Sequence, residues 1–335
     1  MKRILPLALA AAVAVSPATA FAWGGTGHRI VGQLAAKALP SDLPAFLRSK
    51  AGVEAIGELS REPDRSKGAG KIHDNDRDAA HFVDIHDDGT ILGGPPFLPM
   101  PATKAEYETQ LAAHQLDTAK AGYLHYAIID RWQQLALDFA YWRVLTAAEK
   151  NPKWKSNHAW FRADRIRREA LILATIGDLS HFVGDGAQPL HTSTHYNGWG
   201  DYPNPQGFTT ARIHSPFESA MVRATADAAA VAAKMTPFRA CDCAVEQRTV
   251  DYILATNRFV VPLYELEKAG GLAQGDPRGP AFATERMAAG ASELRDMIVE
   301  AWNASATRSV GWRPVAVQDV LSGKVDPYPS LYSID

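Results

Sequence analysis

The stretch Leu179–His191, LSHFVGDGAQPLH, constrains this chain more than any other. It sets two histidines, an aspartate, a pair of glycines and a proline inside an apolar neighbourhood. His181 and Asp185 stand four residues apart, so on a helix they share one face, one turn apart. Pro189 cannot continue that helix, and His191 is expected to project just past its end. Buried polar groups are costly unless they are paired or bound to metal. The run therefore predicts a metal site whose remaining ligands come from other parts of the chain.

A second pair of the same kind occurs at His214 and Glu218, with Pro216 between them, which suits the first turn of a helix. Either pair alone also reads as a surface ion pair of little energetic value. Together, with one pair on an apolar helix, they point to metal. Zinc takes imidazole nitrogen and carboxylate oxygen, with an open position when the site is catalytic. Adding His191, His28 and His81 gives more donors than one ion can use, so several zinc ions are expected.

The N-terminus reads MKRILPLALAAAVAVSPATAFA: two basic residues, an apolar run and the small-residue pattern ending at Ala22. This is the form of a secretory signal peptide over residues 1–22, too short and wrongly flanked for a retained anchor. The mature chain is expected to start at Trp23, secreted or periplasmic, with no membrane anchor. Losing Lys2 and Arg3 takes Lys+Arg from 35 to 33 against 37 acids, moving the formal charge from −2 to −4. Such a chain does not bind nucleic acid by bulk charge. It can still act on phosphates if bound metal supplies the positive field. Cys241 and Cys243 can pair in an exported protein, though their spacing also leaves room for two free thiols.

The remaining pattern predicts an all-α chain, residues 23–335, as one domain without repeats or a coiled coil. Helices are expected from about His28 to Leu39, over 103–150, over 162–185, from 208 into the 230s, and as two or three segments over 247–307 with a break at 269–280. Residues 58–92 read as mostly loop, 197–207 as a turn-rich loop, and 311–335 as an irregular cover. His114, His125 and His158 read as core or surface histidines. Within the polar 58–92 stretch, HFVD at 81–84 stands out because Phe82 and Val83 interrupt the polar run.

Three motifs, WGGTGH at 23–28, HFVD at 81–84 and HFVGDGAQPLH at 181–191, resemble the trinuclear-zinc single-strand nucleases of fungi and plants (the S-one/P-one type). They also resemble the zinc-dependent bacterial phospholipase C that shares that fold and cluster. The resemblance runs from Trp23 to about Glu218. It implies a compact multi-helix domain with long loops around a cleft holding three Zn2+ per chain. One ion would take an upstream aspartate, His81, His181 and a bridging Asp185. A second would take the free amine and carbonyl of Trp23, with His28 and Asp185. A third would take His191, His214 and Glu218. By its position before the histidine loop the upstream aspartate is Asp64, with Asp74, Asp76 and Asp78 as rivals.

The resemblance further implies hydrolysis of single-stranded DNA or RNA, or of nucleotides, to 5′-phosphate products by a zinc-bridging hydroxide that Asp64 could orient. Phe82 and Asp84 match the family's base-binding pair, an aromatic face and a carboxylate, although Phe82 alone also reads as a core aromatic. No stable protein partner is implied. Two residue choices depart from the nuclease pattern. Glu218 stands where the nucleases usually carry aspartate, a spelling closer to the phospholipase, and the family's arginine near the first aspartate is replaced by candidates Arg65 and Lys67. Phospholipase C is thus the alternative activity, and a secreted zinc-binding helical protein without catalysis the alternative of another class.

Overall fold

In the computed structural model, which describes residues 23–332, the frame is built from α1 (Gly24–Lys37), α2 (Lys50–Leu59), α3 (Leu124–Ala148), α4 (His158–Ala187), α5 (Val245–Asn257) and α6 (Arg278–Ser305). The export signal expected at 1–22 lies outside the described residues. The architecture is mainly helical, as the periodicity predicts. Among the described residues the only sheet is a two-residue hairpin, Ser309–Val310 (β1) against Val315–Ala316 (β2). None of the described helices is long and apolar enough to cross a membrane.

The centre is α4. Its first half is amphipathic, but from Leu179 to Ala187 every residue is buried. A helix segment buried all round must be enclosed all round, and α1, α2, α3, α5 and α6 all pack on α4. α3 runs antiparallel to it across the turn at Pro152–Asn157. The pairing is fixed by buried polar contacts in descending register. Glu149 accepts from Arg165 at 3.0 Å, and Asp138 accepts from Arg168 at 2.7 Å and Thr175 at 2.9 Å. Glycines set how closely α4 is approached: a Cβ at Gly177 would come within 2.5 Å of the Leu59 side chain, and one at Gly184 within 3.0 Å of His28 Nδ1. The polar end of α4 is thereby brought against α1 and the end of α2.

Several expectations need correction. The helix expected over 103–150 is three, Lys104–Ala113, the short Thr118–Ala121 and α3, because Gln115 and Gly122 adopt positive φ and break the chain between them. Residues 58–92 are less loop-like than expected, holding short helices at Glu62–Arg65 and Lys71–Arg77 and a 3-10 turn at Asp78–His81. None of Lys71–Arg77 is buried, so that helix leaves no apolar period to read. The segment from 208 is not one helix: a π-type turn at Pro216–Met221 precedes short helices at Val222–Thr225 and Ala228–Lys234. The described part of the C-terminal tail, through residue 332, is a regular cover with short helices at Val317–Leu321 and Tyr328–Tyr332. Its Val310, Val317 and Val320 form a second small core with Val144, Trp154 and Phe161 at the far end of α3 and α4. Cys241 and Cys243 are bridged, with Cα atoms 5.1 Å apart.

Candidate metal centre

Three groups of donors converge at the buried end of α4: His28 with His181 and Asp185, Asp64 with His81 and His181, and His191 with His214 and Glu218. In each, the candidate ligand atoms lie within 4.8 Å of one another. All eight side chains are at most 8 % exposed. α4 supplies His181 and Asp185 from its last turns. It ends at Ala187 because Gln188 is extended ahead of Pro189, and the 3-10 turn Pro189–His191 delivers His191. α1 supplies His28, the short Glu62–Arg65 helix Asp64, and the turn Asp78–His81 His81. His214 and Glu218 come from the turn around Pro216, where the wide π geometry still keeps both side chains on one face.

The protonation pattern of the rings is fixed by backbone carbonyls, which can only accept. His81 Nδ1 donates to Asp78 O (3.0 Å), His181 Nδ1 to Ser60 O (2.8 Å), His191 Nδ1 to His81 O (2.6 Å) and His214 Nδ1 to Tyr196 O (2.8 Å). In a neutral imidazole with Nδ1 protonated, Nε2 carries a bare lone pair. This tether is the usual outer support of a metal-binding histidine. Burial pushes His181 down to about 3 and lowers His28, His81 and His191 as well, which favours the neutral form of those four rings.

Those lone pairs then face carboxylate oxygens, as does Nε2 of His28, whose Nδ1 makes no hydrogen bond. His181 Nε2 lies 3.3 Å from Asp185 Oδ2, and His28 Nε2 lies 3.5 Å from Asp185 Oδ1. His81 Nε2 and His181 Nε2 lie 3.7 and 3.9 Å from Asp64 Oδ1. Two lone pairs at such distances repel unless a cation or proton sits between them. The Nε2 atoms of His28, His81 and His181 and both Asp185 oxygens have no hydrogen-bond partner. Buried polar atoms are rarely left so. Donor atoms around a tetrahedral zinc stand roughly 3.3 Å apart, given bond lengths of about 2.0–2.1 Å, and these separations fit that spacing. The donor set therefore suits metal ions. Asp185 turns one oxygen to each of two histidines, the disposition of a carboxylate shared between two ions.

The third group is closer-knit. Glu218 Oε2 stands 2.8 Å from His214 Nε2 and 3.3 Å from His191 Nε2, and it accepts from Gln188 Nε2 at 3.0 Å. The Gln188 amide cannot turn over, because its Oε1 accepts from Leu190 N at 2.6 Å. Burial alone would raise the Glu218 carboxyl; the facing His214 and His191 outweigh it and hold it down at about 2. Burial, reinforced by Asp64, pushes Asp185 the other way, well above the usual carboxylate range.

The other expected residues are placed as follows. Trp23 is fully buried, its indole donating to Gly184 O at 2.7 Å, one residue before Asp185, and its carbonyl accepts from Gly27 N at 3.1 Å. Among the loop aspartates, Asp64 is the one that joins His81 and His181; Asp74 pairs with His73 at 3.1 Å instead. Phe82 is half-buried against Gly122. Asp84 is buried with Oδ1 unpartnered, and burial raises its pKa well above the usual range. Lys67 donates to Asp64 Oδ1 at 2.7 Å, whereas Arg65 is turned to Glu62. His114, His125 and His158 belong to none of the three groups. Gln188 and the carbonyl of Ser60 were not foreseen. Gln188 had a signal, its place inside the His181–His191 run; a backbone carbonyl has none. Compared with known proteins, the chain matches no family model and no curated protein.

Proposed function

We propose that the chain is an exported zinc-dependent phosphodiesterase, a hydrolase with the fold and trinuclear cluster of the single-strand nucleases, acting endonucleolytically on single-stranded DNA or RNA to leave 5′-phosphates. The observation that carries this is the set of three buried His/carboxylate groups joined along one helix end, with their lone pairs facing one another. Asp64, His81, His181 and Asp185 would hold one ion, Asp185, His28 and the backbone of Trp23 a second, and His191, His214 and Glu218 a third. Zinc bound there supplies an acidified water and positive charge beside a phosphodiester.

The chain's own residues supply the rest. Asp64, with Lys67 on one oxygen, is fixed to orient the attacking water and hold its proton. Lys67 stands where a phosphate oxygen could share its ammonium. Phe82 gives a half-buried ring for stacking, and the unpartnered Asp84 oxygen can accept from a base N–H. The bridged Cys241 and Cys243 suit an oxidising compartment outside the cytoplasm.

Glu218, in place of the nucleases' aspartate, favours phospholipase C as the second reading. One experiment separates them: zinc content of the purified mature protein, then hydrolysis of single-stranded DNA, RNA and phosphatidylcholine side by side. Cleavage of the nucleic acids is the expected result. Cleavage of phosphatidylcholine alone would reverse the order of the two readings, and zinc binding without any cleavage would leave a non-catalytic metal protein.

A further inference from the structure

A cavity of about 650 Å³ opens beside the Asp64–His81–His181 group, with His81 and Phe182 in its wall. Neither Phe82 nor Asp84 lines it, and neither does any residue of the third group. It is therefore separate from the surface assigned above to the base. Its size falls within the range of small-molecule sites. Phe182 is fixed in place by edge contacts with His81 and His181, at 5.7 and 5.6 Å between ring centres, and Tyr123 and Tyr126 add two further aromatic rings to the lining.

The charges around this cavity are mostly spent on one another. Arg131 lies 2.9 Å from Asp130 and 3.8 Å from Asp178, Glu62 accepts from Arg65 at 2.6 Å, and Lys104 pairs with Glu108. Glu246 accepts from the Gln133 amide at 3.3 Å. Arg77 is different. It lines the cavity and makes no hydrogen bond or close ion pair among the described residues, its charge reaching Asp178 and Tyr123 only at longer range. Its base is nevertheless held, because it ends the helix Lys71–Arg77 and the Tyr123 hydroxyl donates to the neighbouring Asp76 carbonyl. A guanidinium with no hydrogen bond of its own, beside aromatic rings and next to a site for a phosphodiester, matches what a single strand presents: a phosphate and an unstacked base.

We propose that this cavity receives a second nucleotide of a single-stranded substrate, its phosphate on Arg77 and its base against Phe182 and Tyr126. The inference rests on the phosphodiesterase reading and makes Arg77 a specificity-determining residue. The cavity would favour oligonucleotides over small diesters that reach only the metal groups.

The test uses Arg77→Gln in the full mature protein, an exposed position whose loss leaves no buried group unpaired. Binding of a hydrolysis-resistant phosphorothioate octanucleotide is followed by fluorescence anisotropy at several salt concentrations, and hydrolysis of a single-stranded octanucleotide is compared with that of bis(p-nitrophenyl) phosphate. Loss of one charge-assisted phosphate contact should raise the octanucleotide Kd and KM about tenfold. The salt slope of log Kd should become shallower by roughly 0.7. The octanucleotide kcat, and all constants for the small diester, should stay unchanged. Equal Kd and equal salt slope in the two proteins would overturn the role of Arg77 while leaving the phosphodiesterase reading intact. A parallel loss on both substrates would likewise overturn it, as damage to the metal site. Failure of the wild-type protein to cleave any single strand would remove both readings.

Discussion

His181 and His125 are buried to the same degree, at 0 and 1 % exposure, and burial pushes both rings down to about 3. Each also has a ring nitrogen without a hydrogen bond. Their surroundings differ entirely. His125 is ringed by Phe97, Tyr107 and Tyr126, at 5.3, 5.1 and 4.4 Å between ring centres, and belongs to no metal-capable group among the described residues. His181 is tethered through Nδ1 to Ser60 and turns Nε2 on two carboxylates. Burial, a low pKa and an orphaned nitrogen do not by themselves mark a ligand. What sets His181 apart is the convergence of donors on one small volume, where four of the five rings are tied from behind.

If convergence is what counts, Asp185→Asn should break the site most. It should empty two zinc positions together and lower phosphodiesterase activity by roughly three orders of magnitude, since a catalytic metal is worth several kcal/mol at the transition state. Metal analysis and rate measurement check this; full zinc content in the variant would refute the shared carboxylate. His191→Ala should empty a single position, the third. Loss of two ions in that variant would instead show that the groups are not separable.

A smaller effect sharpens the role of the outer support. Gln188→Leu keeps every proposed ligand but removes the amide that donates to Glu218. Zinc affinity at the third position should fall about 10–100-fold, the usual cost of losing such a support, with the other two positions unchanged in a competition titration against a chelating dye. Unaltered affinity would mean that His214 and His191 orient Glu218 unaided.

The mildest change concerns His125, where no metal is expected. His125→Phe should retain all three ions. Its signature is pH dependence. The folded ring stays neutral until about pH 3, whereas in the unfolded chain it takes a proton near its ordinary value of 6.5. Below pH 6.5 the unfolded state therefore binds more protons, and wild-type stability falls as pH drops. Between pH 7 and pH 5 the variant should lose about 2 kcal/mol less than the wild type. Urea unfolding of both proteins, metal-free, at the two pH values measures the difference, and the metal-site histidines cancel in the comparison. Equal losses would show that His125 takes up its proton without unfolding.

The spacing of His181 with Asp185 and of His214 with Glu218 was legible in the sequence because an i,i+4 pair keeps its meaning on any helical turn. The end of α4 was legible too, since Pro189 allows no other outcome. What holds the ligands was not. The carbonyls of Ser60, Asp78, His81 and Tyr196 orient four rings, and a carbonyl occurs at every position regardless of residue type. The helix Lys71–Arg77 escaped because it buries nothing, and its consequence, an Arg77 without a hydrogen bond beside a cavity, escaped with it. Asp64 could be ranked above Asp74, Asp76 and Asp78 only by analogy; in the fold, α2 delivers its following turn to α4 and leaves the rivals further out.

Trp23 is joined to Gly184 by a hydrogen bond that spans 161 residues of sequence. The start of α1 is thus clasped to the helix that carries His181 and Asp185, and His28 of the same α1 lies 3.5 Å from Asp185. Glu218 comes from farther along still. A chain still being made, or one cut short before residue 218, therefore cannot assemble the full donor set. Metal ions held by these groups as proposed would therefore be bound in full only by a chain folded through residue 218.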